Sequence, residues 1–454
     1  MVSILLDIVY TVLLTVLSPW ILYRILLQGR YRDGWKERFG FVPRRYSNQP
    51  CIWIHAVSMG EINAIGSLVK QLQKVLPQYE IVVSSTTDTG MDRAKKLYGS
   101  THRVFFFPWD FSWAVKRALN RLRPDLCIMM ELEIWPNFTK ISHRRKIPVI
   151  VANGRISSDK GFPRYKRFAR LVRPIFRKLA LVLAQDEMYA ERFLYLGVPK
   201  ERLKTVGSLK YDTAEVGEKV AGAAGIADKL LLKKGLSVIV AGSTGPGEEE
   251  IILRCYTELR DKYLKNKALQ LIIVPRKPER FDQVAGLIQE QGLECVRFSE
   301  ANDGKCKCSD NNNICVILGD TMGDLRKFYS LADVVFVGRS LVPMGGSDMI
   351  EAAALGKPVI VGPYTDNFVE MVKTLQNGEG IEIVANGEQL TKILSQYLNN
   401  KALRKSVGIR AQQVVRENQG ATQRSAEAIV ELLGYQKAFR NGGIATEMAA
   451  TSDD

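Results

Sequence analysis

The sequence predicts an α/β protein built from two doubly wound parallel sheets and preceded by an apolar helix. Three observations carry this: short apolar runs recur along the chain, helix-length segments separate them, and a second series of runs begins after Val206-Gly207-Ser208-Leu209-Lys210. Runs that are apolar throughout belong to strands buried on both faces. Strands that alternate with helices pair in parallel. At 454 residues, with 46% hydrophobic and 25% charged content, the chain is long enough for two cores.

Taken in order, the first element is the apolar stretch Ile8 to Tyr23. Such a helix reaches only ~24 Å at 1.5 Å per residue, short of the ~30 Å hydrocarbon core, which leaves a thin span or an interfacial anchor open. Arg24, Arg30, Arg32, Lys36 and Arg38 follow it, so the positive-inside rule places the rest of the chain in the cytoplasm. The first strand series comprises Cys51–His55, Ile81–Ser84, Val104–Phe107, Leu126–Met130, Val149–Ala152 and Leu179–Ala184. Before its last member, Tyr165, Phe168, Val172, Ile175 and Leu179 recur at spacings of three and four. Arg164, Lys166, Arg167, Arg170, Arg173, Arg177 and Lys178 fill the other face of this basic amphipathic helix, which Pro174 is expected to break. The second series is Ser237–Val240, Leu271–Val274, Val316–Leu318, Val334–Val337 and Val359–Val361. The domains expected are an anchor (1–27), a first domain (28–206), a second domain (207–435) and a disordered tail (436–454), with a mobile polar insertion over Asn302 to Asn313.

The balance of 64 Lys and Arg against 48 Asp and Glu gives a net charge of +16 and favours an acidic partner. The excess of one sign on the 164–178 helix points to an anionic membrane surface or a phosphorylated acceptor. No stacking aromatics or binding module accompany it, so no nucleic acid is expected. Seven cysteines, mostly within apolar runs, suggest a reduced, cytosol-facing protein. Cys306 and Cys308 form a lone C-x-C with no second pair, and no metal site is expected.

Ligands of doubly wound sheets bind beyond the carboxyl ends of the strands. The loops there are GSTGPGEEE (Gly242–Glu250), PRKPER (Pro275–Arg280), GDTMGDL (Gly319–Leu325) and RSLVPMGGSD (Arg339–Asp348). A helix predicted from Ser347 to Leu355 would offer backbone N–H groups at Gly345-Gly346-Ser347 to a phosphate, with Glu351 within reach of a ribose. In the first half, Glu61 of HAVSMGE stands near a helix start at the rim. It suits a general base and equally an N-terminal helix charge. Glu131 and Glu133 end the fourth strand, where Arg155 or water could satisfy them.

These stretches resemble the Kdo transferases, which move 3-deoxy-D-manno-octulosonic acid from CMP-Kdo to a lipid A precursor. The likeness runs in order through YRDGWKERFG, HAVSMGE, ELEIWPN, VANGRIS, VGSLKYD, GSTGPGEEE, PRKPER and GGSDMIEAAALGKPVIVGP. It implies a GT-B fold, with the acceptor held by the first domain and the nucleotide sugar by the second, and an inverting transfer without metal or cofactor. It implies that Glu61 is the base and that Glu131 and Lys210 stabilise the transition state. CMP binding falls to Pro275, Arg276, Met322-Gly323-Asp324 and Asp348 to Glu351, with Ser243 and Gly345 to Ser347 able to meet the departing phosphate. The partners implied are CMP-Kdo, a lipid A precursor (lipid IVA) and the anionic inner-membrane surface. The chain departs from the family pattern where Gly245, Lys277 and Ser347 replace histidines and Asp348 replaces asparagine. These departures keep two other readings open: a GT-B transferase using another nucleotide sugar, and a catalytically silent protein binding lipid at a membrane surface.

Overall fold

The computed structural model describes residues 2–28, 33–157, 161–232, 235–263, 269–303 and 315–440. Both sheets are parallel throughout and each has seven strands. The first contains β1 (Cys51–His55), β2 (Glu80–Ser85), β3 (Arg103–Phe106), β4 (Leu126–Met130), β5 (Val149–Gly154), β6 (Leu181–Ala184) and β7 (Leu203–Thr205), in the order β3-β2-β1-β4-β5-β6-β7. The second contains β8 (Ser237–Thr244), β9 (Leu269–Pro275), β10 (Glu294–Arg297), β11 (Cys315–Leu318), β12 (Val334–Val337), β13 (Val359–Val361) and β14 (Ile381–Ile383), in the order β10-β11-β9-β8-β12-β13-β14. Central strands such as β1, β4 and β12 are buried along their whole length, as their unbroken apolar runs require. The strands that periodicity did not reveal, β7, β10 and β14, all lie on or end at a sheet edge. They are half-exposed and carry polar residues.

The chain divides into two compact units. One is built up to Thr213 and again from Gln419, and the other spans Ala214–Asn418. A second domain running through to 435 is therefore corrected, because the last helix, Ala421–Arg440, returns to the first unit. Its Ala421, Ala426, Ile429 and Leu433 join the cluster around Ile62, Ile65 and Leu68 of the Met59–Val75 helix. Asp212 fixes the return by accepting from the Gly420 and Thr422 N–H groups at 2.7 and 2.5 Å.

The N-terminal helix covers Val2–Gln28. Asp7 is what makes it part of the first unit. Its carboxylate accepts from the Ser112 N–H (2.8 Å), the Ser112 hydroxyl (2.5 Å) and the Asn137 side-chain amide (3.1 Å). Tyr10 adds a hydrogen bond to Asp110, whose carboxylate also accepts from the Asn137 and Phe138 N–H groups. The opposite face, with Leu5, Ile8, Val12, Val16 and Trp20, is exposed. Among the described residues no helix is long and apolar enough to cross a membrane. Within the 164–178 segment the break falls at Phe168, between helices Gly161–Arg167 and Ala169–Phe176, with Pro174 inside the second. Cys51, Cys127, Cys255 and Cys295 are free thiols. Most of the 302–313 insertion, with Cys306 and Cys308, and tail residues 441–454 lie outside the described residues.

Asp7→Ala leaves three donors on the first unit without their acceptor, at about 1–3 kcal/mol for a buried group left unpaired. Amide exchange in the Val2–Gln28 helix should accelerate in this variant while the 51–55 strand keeps its protection. Unchanged exchange in the helix would mean that Asp7 does not hold it.

Candidate active site

Each sheet reverses its winding between two central strands, β1 and β4 in the first and β8 and β12 in the second. Ligands of such sheets bind beyond the carboxyl ends of the strands at these points, and Glu61, Glu131 and Gly345–Ser347 follow β1, β4 and β12, the strands that flank them.

In the first unit, the turn after β1 leads into the Met59–Val75 helix with Ser58 as N-cap. The Ser58 hydroxyl accepts from the Glu61 N–H (3.3 Å). The Glu61 carboxylate accepts from the Val57 N–H (3.0 Å) and the Ser58 hydroxyl (2.9 Å). This is a capping box, so both readings of Glu61 apply to one side chain: the cap fixes its carboxylate at the rim. Burial, and then the charge of Glu131, raise its pKa above the ordinary glutamate range, while the capping hydrogen bonds oppose the rise. Glu131, at the end of β4 with φ 52°, stands 3.8 Å from Arg155, the partner its position anticipated. Glu133, quoted in its motif but given no role from sequence, is pushed up to about 7, first by burial and then by Glu61. Three carboxylates therefore influence one another at a single rim. The segment that carries Lys210 is tied to the end of β5 one residue earlier, where the Asn153 side-chain oxygen accepts from the Leu209 N–H at 3.0 Å. His55 has no such part: fully buried and stacked on Phe107, it is held neutral, its pKa lowered by burial to about 3.

In the second unit, Ser243 is the penultimate residue of β8 with φ 56°, and the Arg276 N–H bonds the Thr244 carbonyl at 3.1 Å, so Pro275 and Arg276 lie beside the Gly242–Glu250 loop. Ser347 is buried and its hydroxyl donates to the Ser243 carbonyl (3.4 Å). Gly345 and Gly346 both have positive φ. Glu351 is raised first by burial and then by Asp348, against the pull of Arg326 and Arg276. Met322 and Gly323 are exposed on the loop after β11. Asp324 there is engaged by Lys327 (2.8 Å) and Thr321 (2.7 Å). The helix expected from Ser347 begins only at Ile350 and ends at Ala354. At the later start the Asp348 carboxylate accepts from the Ile350 N–H at 2.9 Å.

Sequence reasoning missed the two side chains that hold this rim together. Glu248, fully buried, accepts from the backbone N–H groups of Gly245 (3.1 Å), Arg339, Ser340 (2.7 Å) and Leu341 (2.8 Å). Glu249, equally buried, forms a two-point pair with Arg280 at 2.6 and 3.1 Å. The loops after β8, β9 and β12 are thereby tied to the start of one helix, Glu248–Glu258. The available signal was three successive acids after Gly-Pro-Gly, more carboxylate than a helix start needs.

Of the basic positions at 164–178, Arg164, Lys166, Arg167, Arg170 and Arg177 are exposed. Arg173 is turned inward, its Nε donating to the Tyr195 carbonyl (3.2 Å) with its guanidinium over the Tyr195 ring, and Lys178 is half-buried. Among the described residues no group of three or more His, Cys, Asp or Glu could hold a metal ion.

A carboxylate rim on one parallel-sheet unit and an anion-ready rim on a second are the equipment of a glycosyltransferase, and the comparisons agree. Residues 33–213 match the family described as 3-deoxy-D-manno-octulosonic-acid transferase (kdotransferase), and residues 305–414 match glycosyl transferases group 1. The chain is 36% identical over 425 residues to a 3-deoxy-D-manno-octulosonic acid transferase of Haemophilus influenzae, covering 91% of this chain and 96% of that one. It is 30% identical over 448 residues to the Bordetella pertussis protein of the same name, covering 94% and 99%. A glycosyltransferase structure from Rickettsia africae shares the fold at a TM-score of 0.56 and 14% identity, covering 85% of this chain and 99% of that one. The chain belongs to the Kdo transferase family.

Two measurements test this site. Glu248→Ala should cost more than about 3 kcal/mol, since several buried donors lose their acceptor at about 1–3 kcal/mol each, with Glu248→Gln intermediate in denaturant unfolding. If Glu248→Ala matched the parent protein, the carboxylate would not be holding the loops. A glutamate that serves as a general base must be deprotonated to act, so the pH profile tests Glu61 in that role. Turnover should fall as pH drops through its raised pKa, and Glu131→Gln, by removing a neighbouring negative charge, should move that acid limb to lower pH. A limb that stays in place would detach Glu131 from Glu61.

Proposed function

We propose that this protein is an inverting GT-B glycosyltransferase that moves Kdo from CMP-Kdo onto a lipid A precursor. The observation that carries this reading is the Glu61 carboxylate, fixed by its capping box at the β1/β4 switch point and raised in pKa toward the range of a useful base. Glu61 takes the proton of an acceptor hydroxyl as its oxygen attacks the anomeric carbon of Kdo. The bond from that carbon to the CMP phosphate breaks with inversion, and CMP leaves with the electron pair. Arg276 and the Ser243 loop meet the phosphate charge, Pro275, Met322–Asp324 and Gly345–Glu351 line the nucleotide site, and Glu131 and Lys210 act on the transition state. Fixed cations and backbone dipoles suffice for a monophosphate leaving group, so the transfer is assigned no metal and no cofactor.

The acceptor is a lipid, and the first unit carries surfaces suited to a membrane. The exposed apolar face of the Val2–Gln28 helix adjoins an aromatic ledge in which Phe39 and Trp113, and Phe111 and Trp113, stack at 5.8 and 5.5 Å, while Arg117 lies over Phe41. Phe168 and Leu171 are exposed among the basic residues of 164–178. Aromatic, apolar and cationic groups of this kind sit well at an anionic bilayer surface. We assign this surface to the cytoplasmic face of the inner membrane, with the N-terminal helix lying along it. That helix is pinned to the loops after β3 and β4, at the rim that carries Glu131.

Mass spectrometry of a defined lipid A precursor after incubation with protein and CMP-Kdo should show added Kdo, and Glu61→Gln should reduce turnover at least a hundredfold, the lower range for loss of a general base. Full turnover by Glu61→Gln would overturn the mechanism, and transfer only from another nucleotide sugar would overturn the donor.

A further inference from the structure

Arg339 follows β12 at the β8/β12 switch point with φ 60°, a left-handed conformation that is strained for a residue with a β-carbon. The fold over-determines that conformation. The Arg339 N–H is bound by Glu248 and its carbonyl accepts from the Gly346 N–H at 2.8 Å. The side chain runs over Gly245: a β-carbon on that glycine would meet Arg339 Cγ at 3.1 Å and Met344 Sδ at 2.6 Å. The guanidinium is steadied by one hydrogen bond to the Met344 carbonyl (3.3 Å), and among the described residues no carboxylate pairs with it. Beside it the Thr244 hydroxyl is buried without a hydrogen-bond partner. Buried polar groups are rarely left so.

We propose that Arg339 is a phosphate-binding residue of the donor site, reaching the leaving phosphate across the space that Gly245 leaves open. This rests on the nucleotide-donor reading above. A planar cation with most of its donors unspent, fixed where the winding reverses, suits a phosphate better than packing does. The orphaned Thr244 hydroxyl supplies a second donor in the same loop.

The test compares CMP with cytidine, which lacks the phosphate, on the full-length parent protein, Arg339→Gly and Arg339→Lys. Arg339→Gly should bind CMP about tenfold or more weakly, cytidine should be unaffected, and Arg339→Lys should fall between. Without ligand, Arg339→Gly should unfold no earlier than the parent, because glycine accepts φ 60° freely. Unchanged CMP affinity in Arg339→Gly would overturn the proposal, as would an equal loss for cytidine, which would mark a general collapse of the loop. Should the parent protein respond to UDP and not CMP, the donor reading fails, and UDP against uridine puts the same question to Arg339.

Discussion

One buried carboxylate sets the geometry of the second unit. Glu248 has no contact with solvent and spends both oxygens on four backbone N–H groups, three of them from consecutive residues Arg339 to Leu341. A carboxylate is costly to bury, and saturation with donors is what makes its burial tolerable. The loop after β12 is therefore fastened to the loop after β8 at the point where the sheet changes winding direction. Gly338 makes the fastening possible, since a β-carbon there would meet the Thr244 backbone at 2.6 Å. Glu249 extends the same logic to the loop after β9 through Arg280. A rim held this firmly presents its cations and hydroxyls with little left to reorganise when charge develops, which is the condition for electrostatic catalysis.

The first unit solves a different problem, keeping a carboxylate both fixed and basic. Capping fixes Glu61, while burial and then the charge of Glu131 raise its proton affinity. The proposed reaction chemistry thus falls on the side chain that local secondary structure already fixes. Asp7 shows a parallel economy at the N-terminal helix, where an acid that interrupts an apolar stretch holds that helix against the body of the unit.

The sequence revealed the parts of the fold that depend on burial. Strands β1, β4, β12 and β13 were legible because both faces are covered and their residues are apolar without interruption. The edge strand β7, with Lys204 and Thr205 exposed, carries no such pattern, and β14 is hidden by Glu382. The return of Ala421–Arg440 to the first unit was not legible because a helical period does not say which core it serves. The motifs that carry Glu61, Glu131 and Arg276 follow β1, β4 and β9 in the structure as in the sequence pattern. The roles of Glu248 and Asn153 could not be read, since hydrogen bonds to backbone of distant loops leave no periodic trace. The hydrogen bond from the Ile350 N–H to the Asp348 carboxylate likewise leaves no trace in the sequence pattern.

The account stands or falls on where the nucleotide sits. A crystal structure of the protein with CMP bound tests this most directly. It should place the phosphate at the carboxyl ends of β8 and β12, within hydrogen-bonding distance of the Ser243 loop and the Arg276 side chain. Nucleotide bound instead at the Glu61 and Glu131 rim of the first unit, or away from both switch points, would contradict it.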